Sequence, residues 1–248
     1  SVLVSIPLFH AYGGYIQQSA VALGLRLILL PDPRDTQAMA ACIVEHRPFL
    51  VPGVPTQFMR LADADLKRSN TMLFSGSAPL PQEVVQAVKG KTGMSISEGY
   101  GLTETTGITH ISDEEHFKLG TVGRALPDSE VKIADDGEIL IRHGGIFQGY
   151  FKEPEATAEA LAGGWFHTGD VGEVDSEGYL KITDRKKDII IKGGENISPR
   201  VIEEVLYAHP AVSEASVIGI KDKVYGEEIK AFVTLRAGQA ATAGEILE

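Results

Sequence analysis

The chain has 248 residues, 43% of them hydrophobic, and a formal net charge of −11, enough apolar material for one large or two smaller cores. The acidic balance argues against a nucleic-acid partner or an anionic membrane surface, and the single cysteine, Cys42, admits no internal disulfide and no zinc spacing. The longest apolar run, Val21 to Leu30, is broken by Gly24 and Arg26 and falls short of the ~20 residues of a membrane span.

No signal peptide is legible, so the cytoplasm is the default compartment. The chain opens at Ser1 inside an apolar segment, as a cut chain would. Over the first hundred residues strand-like and helix-like segments alternate. Val2 to Ile6 reads as a buried strand, Tyr12 to Leu23 as a helix and Arg26 to Leu30 as a strand. Thr36 to His46 is helical with Asp35 as N-cap, and Pro55 to Leu61 and Pro81 to Val88 are helices opened by proline. Phe49 to Val51 and Thr71 to Phe74 supply further strands. This alternation predicts βαβ units and a mainly parallel sheet, whose ligands bind beyond the carboxyl ends of the strands.

From Gly120 the helical rhythm fades. Glu130 to Ile133, Glu138 to Ile141, Val171 to Val174 and Tyr179 to Thr183 are short alternating runs, with turn residues at Asp135-Asp136-Gly137 and Asp175 to Gly178. One helix, with Pro154 in its first turn, interrupts them. A dense polar run, Asp184 to Asp188, precedes a last unit with a helix over Pro199 to Tyr207 and strands over Ser216 to Ile220 and Ile229 to Leu235. The expected division is 1–183, with an α/β part (1–119) and a β-rich part (120–183), followed by 184–248.

Several stretches carry chemistry. In Glu98-Gly99-Tyr100-Gly101-Leu102-Thr103-Glu104-Thr105 the glycines let backbone approach a ligand. Tyr100 offers a flat face for a base, Thr103 a neutral donor for a phosphoryl oxygen and Glu104 a hard oxygen ligand for Mg²⁺. The same residues also read as a strand ending in a glycine turn, with Thr103 capping a helix. His10, set between aromatics within Pro7 to Gly13 after a buried strand, reads as a helix-entry residue with a satisfied hydrogen bond. Ser75-Gly76-Ser77-Ala78-Pro79 is a strand-to-helix turn or a small-residue bed for a planar base. Asp170, after Thr168-Gly169, either caps a turn or accepts from both ribose hydroxyls. The charged run reads alone as a solvated face.

In this order the stretches resemble the adenylate-forming superfamily, which includes acyl-CoA synthetases, firefly luciferases and the adenylation domains of peptide synthetases. Tyr100 to Thr105 is similar to its central motif, and Gly137-Glu138-Ile139-Leu140-Ile141, Gly149-Tyr150 and Trp165 to Asp170 follow in the family's order. Gly193-Gly194-Glu195-Asn196-Ile197-Ser198-Pro199 resembles the lids of acyl-CoA synthetases more than those of peptide synthetases, and the chain as a whole is most like a bacterial fatty acyl-CoA synthetase. The resemblance implies a parallel-sheet α/β subdomain, a strand-rich antiparallel, barrel-like subdomain and a truncated small α+β lid. It implies Thr103 and Glu104 as catalytic, with Glu104 also the metal ligand, and Gly76, Ser77, Ala78, Gly99, Tyr100, Gly101, Asp170 and Arg185 as nucleotide-binding. His10 and Tyr12 would line the acid pocket, Lys187 would be the hinge, and Gly193 and Gly194 would flank the passage for CoA. ATP, Mg²⁺ and CoA are the implied cofactors and co-substrates.

The implied substrate is a small-molecule carboxylic acid, first a medium- or long-chain fatty acid, then aryl and short dicarboxylic acids. The family's upstream phosphate loop is unmatched, and neither Lys221, Lys223 nor Lys230 stands in the context of its C-terminal catalytic lysine. The expectation is therefore a piece of an AMP-forming acid–thiol ligase that binds AMP weakly and forms no acyl-adenylate alone. A bare sheet edge would favour self-association as a homodimer. Two alternatives stay open: an inactive nucleotide- or CoA-binding half-protein, and an adenylation enzyme that loads a carrier protein.

Overall fold

The computed structural model describes residues 1–64, 66, 70–112 and 117–247. In chain order the elements are β1 (Val2–Val4), α1 (Ala11–Ala22), β2 (Leu27–Leu29), α2 (Thr36–His46), β3 (Leu50–Gly53), α3 (Pro55–Leu61), β4 (Met72–Ser75), α4 (Gln82–Thr92), β5 (Ile96–Leu102), β6 (Gly107–Ile111) and β7 (Arg124–Ala125). There follow β8 (Glu130–Ile133), β9 (Glu138–Arg142), α5 (Pro154–Ala160), β10 (Phe166–Val174) and β11 (Leu180–Arg185). The chain continues with β12 (Ile190–Lys192), β13 (Glu195–Ile197), α6 (Pro199–Tyr207), β14 (Val212–Asp222), β15 (Gly226–Leu235) and α7 (Ala243–Leu247). Contacts group these into two compact units: Ser1–Lys132 with Leu140–His167 and Val174–Lys181, and Ile133–Ile139 with Thr168–Glu173 and Ile182–Glu248.

The first unit is built on a seven-stranded sheet in the order β2-β1-β3-β4-β5-β6-β7. Its first five strands are parallel, and β6 and β7 run antiparallel. Parallel strands need both faces covered, and β1 shows how the sequence meets this. Val2 and Val4 pack with Ile6, Ile16 and Ala20 of the α1 side, while Leu3 joins Met39, Ile43, Phe58, Leu61 and Val84 of α2, α3 and α4. Alternate residues thus serve opposite layers, each fully buried aliphatic side chain contributing about 1.5–3 kcal/mol. α2 begins where the sequence placed it, with the Asp35 carboxylate accepting the Ala38 N–H at 2.9 Å.

A second sheet, in the order β11-β10-β9-β8, is antiparallel and curled, and its residues are apportioned to both units. The second unit also holds the sheet β13-β12-β15-β14, on which α6 packs through Leu206 against Ile190 and Val217. Ser198 caps α6 and Pro199 opens it. This α/β and antiparallel architecture is the one the sequence implied.

Local departures have local causes. β5 does not end in a glycine turn but continues to Leu102, and Thr103 caps no α-helix. A single 3₁₀ turn, Thr103–Thr105, reverses the chain into β6. The residue that fixes this turn is Thr105, whose Oγ1 accepts the Leu102 N–H at 2.8 Å and donates towards Gly107 O at 2.7 Å. β10 likewise starts at Phe166, so Asp170 lies within a strand rather than after a turn. Gly193 and Gly194, at φ +60° and +89°, form the two-residue turn between β12 and β13, the doubly positive conformation that tight hairpins require.

Candidate active site

In the first unit the candidate residues gather at the carboxyl ends of β4 and β5. Ser75 ends β4 beside Gly53 of β3 and Glu98 of β5. Its side chain is fully buried, and Oγ has no hydrogen-bond partner. Gly76 is buried, Ser77 and Ala78 are exposed, and Ser77 takes φ +67°. A non-glycine residue in this region is uncommon and such conformations cluster at functional loops. The Leu80 N–H beyond the loop donates to Glu98 Oε1 at 3.3 Å.

Tyr12 supports this loop from α1. Its hydroxyl donates to Phe74 O at 2.7 Å and its ring lies against Phe74. A Cβ on Gly76 would come within 3.2 Å of that ring, so the glycine admits the tyrosine. Burial pushes the Tyr12 phenol well above its ordinary range, which keeps it a donor. His10 is exposed and caps α1, with Nδ1 accepting the Tyr12 N–H at 3.2 Å. The structure thus brings Tyr12 to the loop and places His10 at the entry of α1.

Along β5, Gly101 passes so close to β6 that a Cβ would meet Gly107 O at 2.0 Å. Gly99 faces the Phe74 ring. Tyr100 is 8% exposed and tilts against His110, with 5.8 Å between ring centres. His110 is buried, its imidazole pushed down to about 4 by desolvation, so it is neutral at pH 7. Thr103 is exposed. Glu104 is half-buried, and Oε1 accepts the Tyr150 hydroxyl at 2.9 Å while its carbonyl accepts the Phe147 N–H at 2.8 Å. Loss of solvent and the Glu104 carboxylate together raise the Tyr150 phenol. The partners Glu104 and Tyr150 are 46 residues apart, and no local pattern could have announced the pair.

In the second unit Asp170 is 5% exposed and Arg185 Nε lies 3.4 Å from its Oδ1. An ionised carboxylate accepts hydrogen bonds only. Lys187 is exposed in the turn after β11, and Gly193 and Gly194 are exposed at their hairpin tip. Glu138, quoted in the sequence only for its motif, is 6% exposed and accepts the Gly169 N–H at 2.9 Å.

Taken unit by unit, Glu104 of the first suits a magnesium ion and Asp170 of the second suits a pair of hydroxyls. Among the described residues there is no cluster of three or more His, Cys, Asp and Glu side chains. Mg²⁺ needs none, since it commonly binds through one or two carboxylates plus phosphate oxygens and water. Glu104 is a carboxylate of that kind, the orphaned Ser75 hydroxyl is a buried group with capacity for a partner, and Asp170 is an acceptor suited to vicinal hydroxyls.

Known proteins resemble the chain over most of its length. Residues 1–151 match the model of the AMP-binding enzyme family, and residues 201–248 match that of the AMP-binding enzyme C-terminal domain. A long-chain-fatty-acid–CoA ligase of Bacillus subtilis (strain 168) is 40% identical, over 99% of this chain and 47% of the relative. A feruloyl-CoA synthase of Amycolatopsis sp is 35% identical, over 99% of this chain and 53% of its own length. The o-succinylbenzoate CoA synthetase of Bacillus subtilis, solved with its acyl-adenylate intermediate, superposes with a TM-score of 0.88 at 31% identity. That match covers 99% of this chain and 52% of the synthetase, which has also been solved with ATP and magnesium ion. The fold is that of the adenylate-forming enzymes. The chain belongs to the AMP-binding enzyme family, and it spans about half the length of the curated relatives it matches. No helix among the described residues is long and apolar enough to cross a membrane.

Proposed function

We propose that this protein serves ATP-dependent activation of a carboxylic acid and its transfer to CoA, in the cytoplasm, with a medium- or long-chain fatty acid as substrate. The observation that carries the reading is the buried Asp170 carboxylate beside Arg185. An acceptor held that deep, with the Arg185 guanidinium at its edge, suits the two hydroxyls of a ribose. In the reaction a carboxylate oxygen of the acid attacks the α-phosphorus, the α–β bridging bond breaks, and pyrophosphate leaves. The CoA thiol then gives up its proton as sulfur attacks the acyl carbon and AMP departs. Mg²⁺ supplies charge neutralisation at the phosphate oxygens.

Each residue then has a task. Thr103 would donate to a phosphate oxygen and Glu104 would hold the metal. Gly76, Ser77, Ala78, Gly99, Tyr100 and Gly101 receive the base, and Asp170 and Arg185 the ribose. His10 and Tyr12 flank the acid. Residues 184–248 are the hinge and part of the lid, with rotation at Lys187 and CoA passing Gly193 and Gly194. The 40% identity to a long-chain ligase supports a fatty acid over the aryl acids of other relatives.

The test is acid-dependent pyrophosphate release by the complete gene product, with ATP, Mg²⁺ and a panel of dodecanoate, palmitate, ferulate and o-succinylbenzoate. The two fatty acids should give the highest kcat/KM, with CoA consumed in step. A preference for ferulate would replace the acid and keep the reaction. No release with any acid would sink the reaction as well.

A further inference from the structure

We propose that Glu138 and Lys186 are positioning residues for Asp170, gripping the backbone N–H and C=O of Gly169 before it and pinning the chain one residue short of Lys187. The inference rests on the reading of Asp170 as the ribose acceptor. The Gly169 N–H donates to Glu138 Oε1 at 2.9 Å, and the Gly169 carbonyl accepts the Lys186 N–H at 2.8 Å. The ring closes through the Lys186 ammonium, 3.2 Å from Glu138 Oε2 and 2.6 Å from Asp136 Oδ2. One residue earlier, Thr168 Oγ1 donates to Ile139 O at 2.7 Å and accepts the Asp170 N–H at 3.1 Å. Thr168, Gly169 and Asp170 are thus each fastened within the second unit.

A carboxylate is required at 138 because it must accept twice, from a peptide N–H on one oxygen and an ammonium on the other. Burying it is costly without a cation, and Lys186 is that cation. The hydrogen bonds to Asp136 and then Glu138 raise the Lys186 ammonium above its ordinary range, so it stays charged. Arg185 and Lys186 are therefore both tied back to β10, through Asp170 and Gly169. A torsional change at Lys187 can then carry the chain beyond it while Arg185 stays on Asp170. Neither residue need touch the nucleotide.

The test compares the wild type with Glu138→Gln, which keeps the acceptor for Gly169 but loses the ion pair, and with Lys186→Met. Lys118→Met is the control: its ammonium also meets two carboxylates, Asp175 and Glu177, in the first unit. Two readouts are taken, amide hydrogen exchange at Gly169 and Asp170, and the ratio of Kd for 2′-deoxy-AMP to Kd for AMP. In both variants Gly169 exchange should accelerate about tenfold or more, and the ratio should fall towards one. The control should move neither. Simple destabilisation would weaken both nucleotides alike and leave the ratio unchanged, so an unchanged ratio overturns the positioning role. Unchanged exchange in both variants overturns the grip itself, whatever the nucleotide does. If the wild type binds no AMP, the ribose assignment of Asp170 fails first and the positioning role falls with it.

Discussion

Glu104→Gln should cut acid-dependent pyrophosphate release by the complete gene product about 10²- to 10³-fold, the usual loss when one element of transition-state charge stabilisation is removed. The amide can still accept the Tyr150 hydroxyl, which Glu104 Oε1 does at 2.9 Å, and the backbone bond from Phe147 to the Glu104 carbonyl is untouched. The turn after β5 therefore survives, and AMP should bind much as before. What disappears is a charged oxygen ligand for Mg²⁺. Steady-state rates at several Mg²⁺ concentrations check this. A variant within about tenfold of the wild type at all of them would remove Glu104 from the metal site.

The largest effect on stability is expected from Gly123→Ala. Gly123 has φ +86°, and an added Cβ would lie 1.9 Å from Ile111 O and 2.1 Å from Ile111 C. Both are backbone atoms of β6 and cannot swing aside as a side chain would. Nor can Gly123 retreat easily, because its carbonyl accepts the Leu180 N–H at 2.9 Å and the Val122 N–H donates to Leu180 O at 2.9 Å. The cost should reach roughly 4 kcal/mol or more, at the extreme of single substitutions and comparable to much of a domain's total stability. Thermal denaturation should show a Tm lower by roughly 10 °C or more, or no folded protein. Gly144→Ala, where a Cβ would meet nothing within 4 Å, is the control and should be neutral. A Tm for Gly123→Ala within about 2 °C of wild type would contradict the packing described around β6.

The first hundred residues were readable because local and global signals coincide there. Asp35 caps α2, Pro55 opens α3, and the apolar run Val2 to Ile6 reads as a buried strand, observed over Val2–Val4. β6 was not readable. Gly107–Ile111 follows a turn held by Thr105, and a side chain that closes a 3₁₀ turn leaves no periodic trace. The candidate site divides in the same way. Chemically distinctive residues such as Asp170 and Glu104 stand out by type and motif, whereas their supports do not. Tyr150 reaches Glu104 across 46 residues, and Glu138 serves Gly169 across 31. Such pairings arise from strand order and are absent from any short window of sequence. Tyr12 lies between these cases: the aromatic was visible, but its hydroxyl bond to Phe74, 62 residues away, was not.

The most direct measurement of the central claim is calorimetric titration of the chain with 5′-O-(N-acylsulfamoyl)adenosines, unreactive isosteres of an acyl-adenylate, beside AMP. If the site receives an acyl-adenylate, the dodecanoyl compound should bind more tightly than AMP, and Asp170→Asn should weaken both by about tenfold or more, as expected for loss of a charged hydrogen-bond acceptor. Binding of the dodecanoyl compound no tighter than adenosine, or indifferent to Asp170→Asn, would contradict the account.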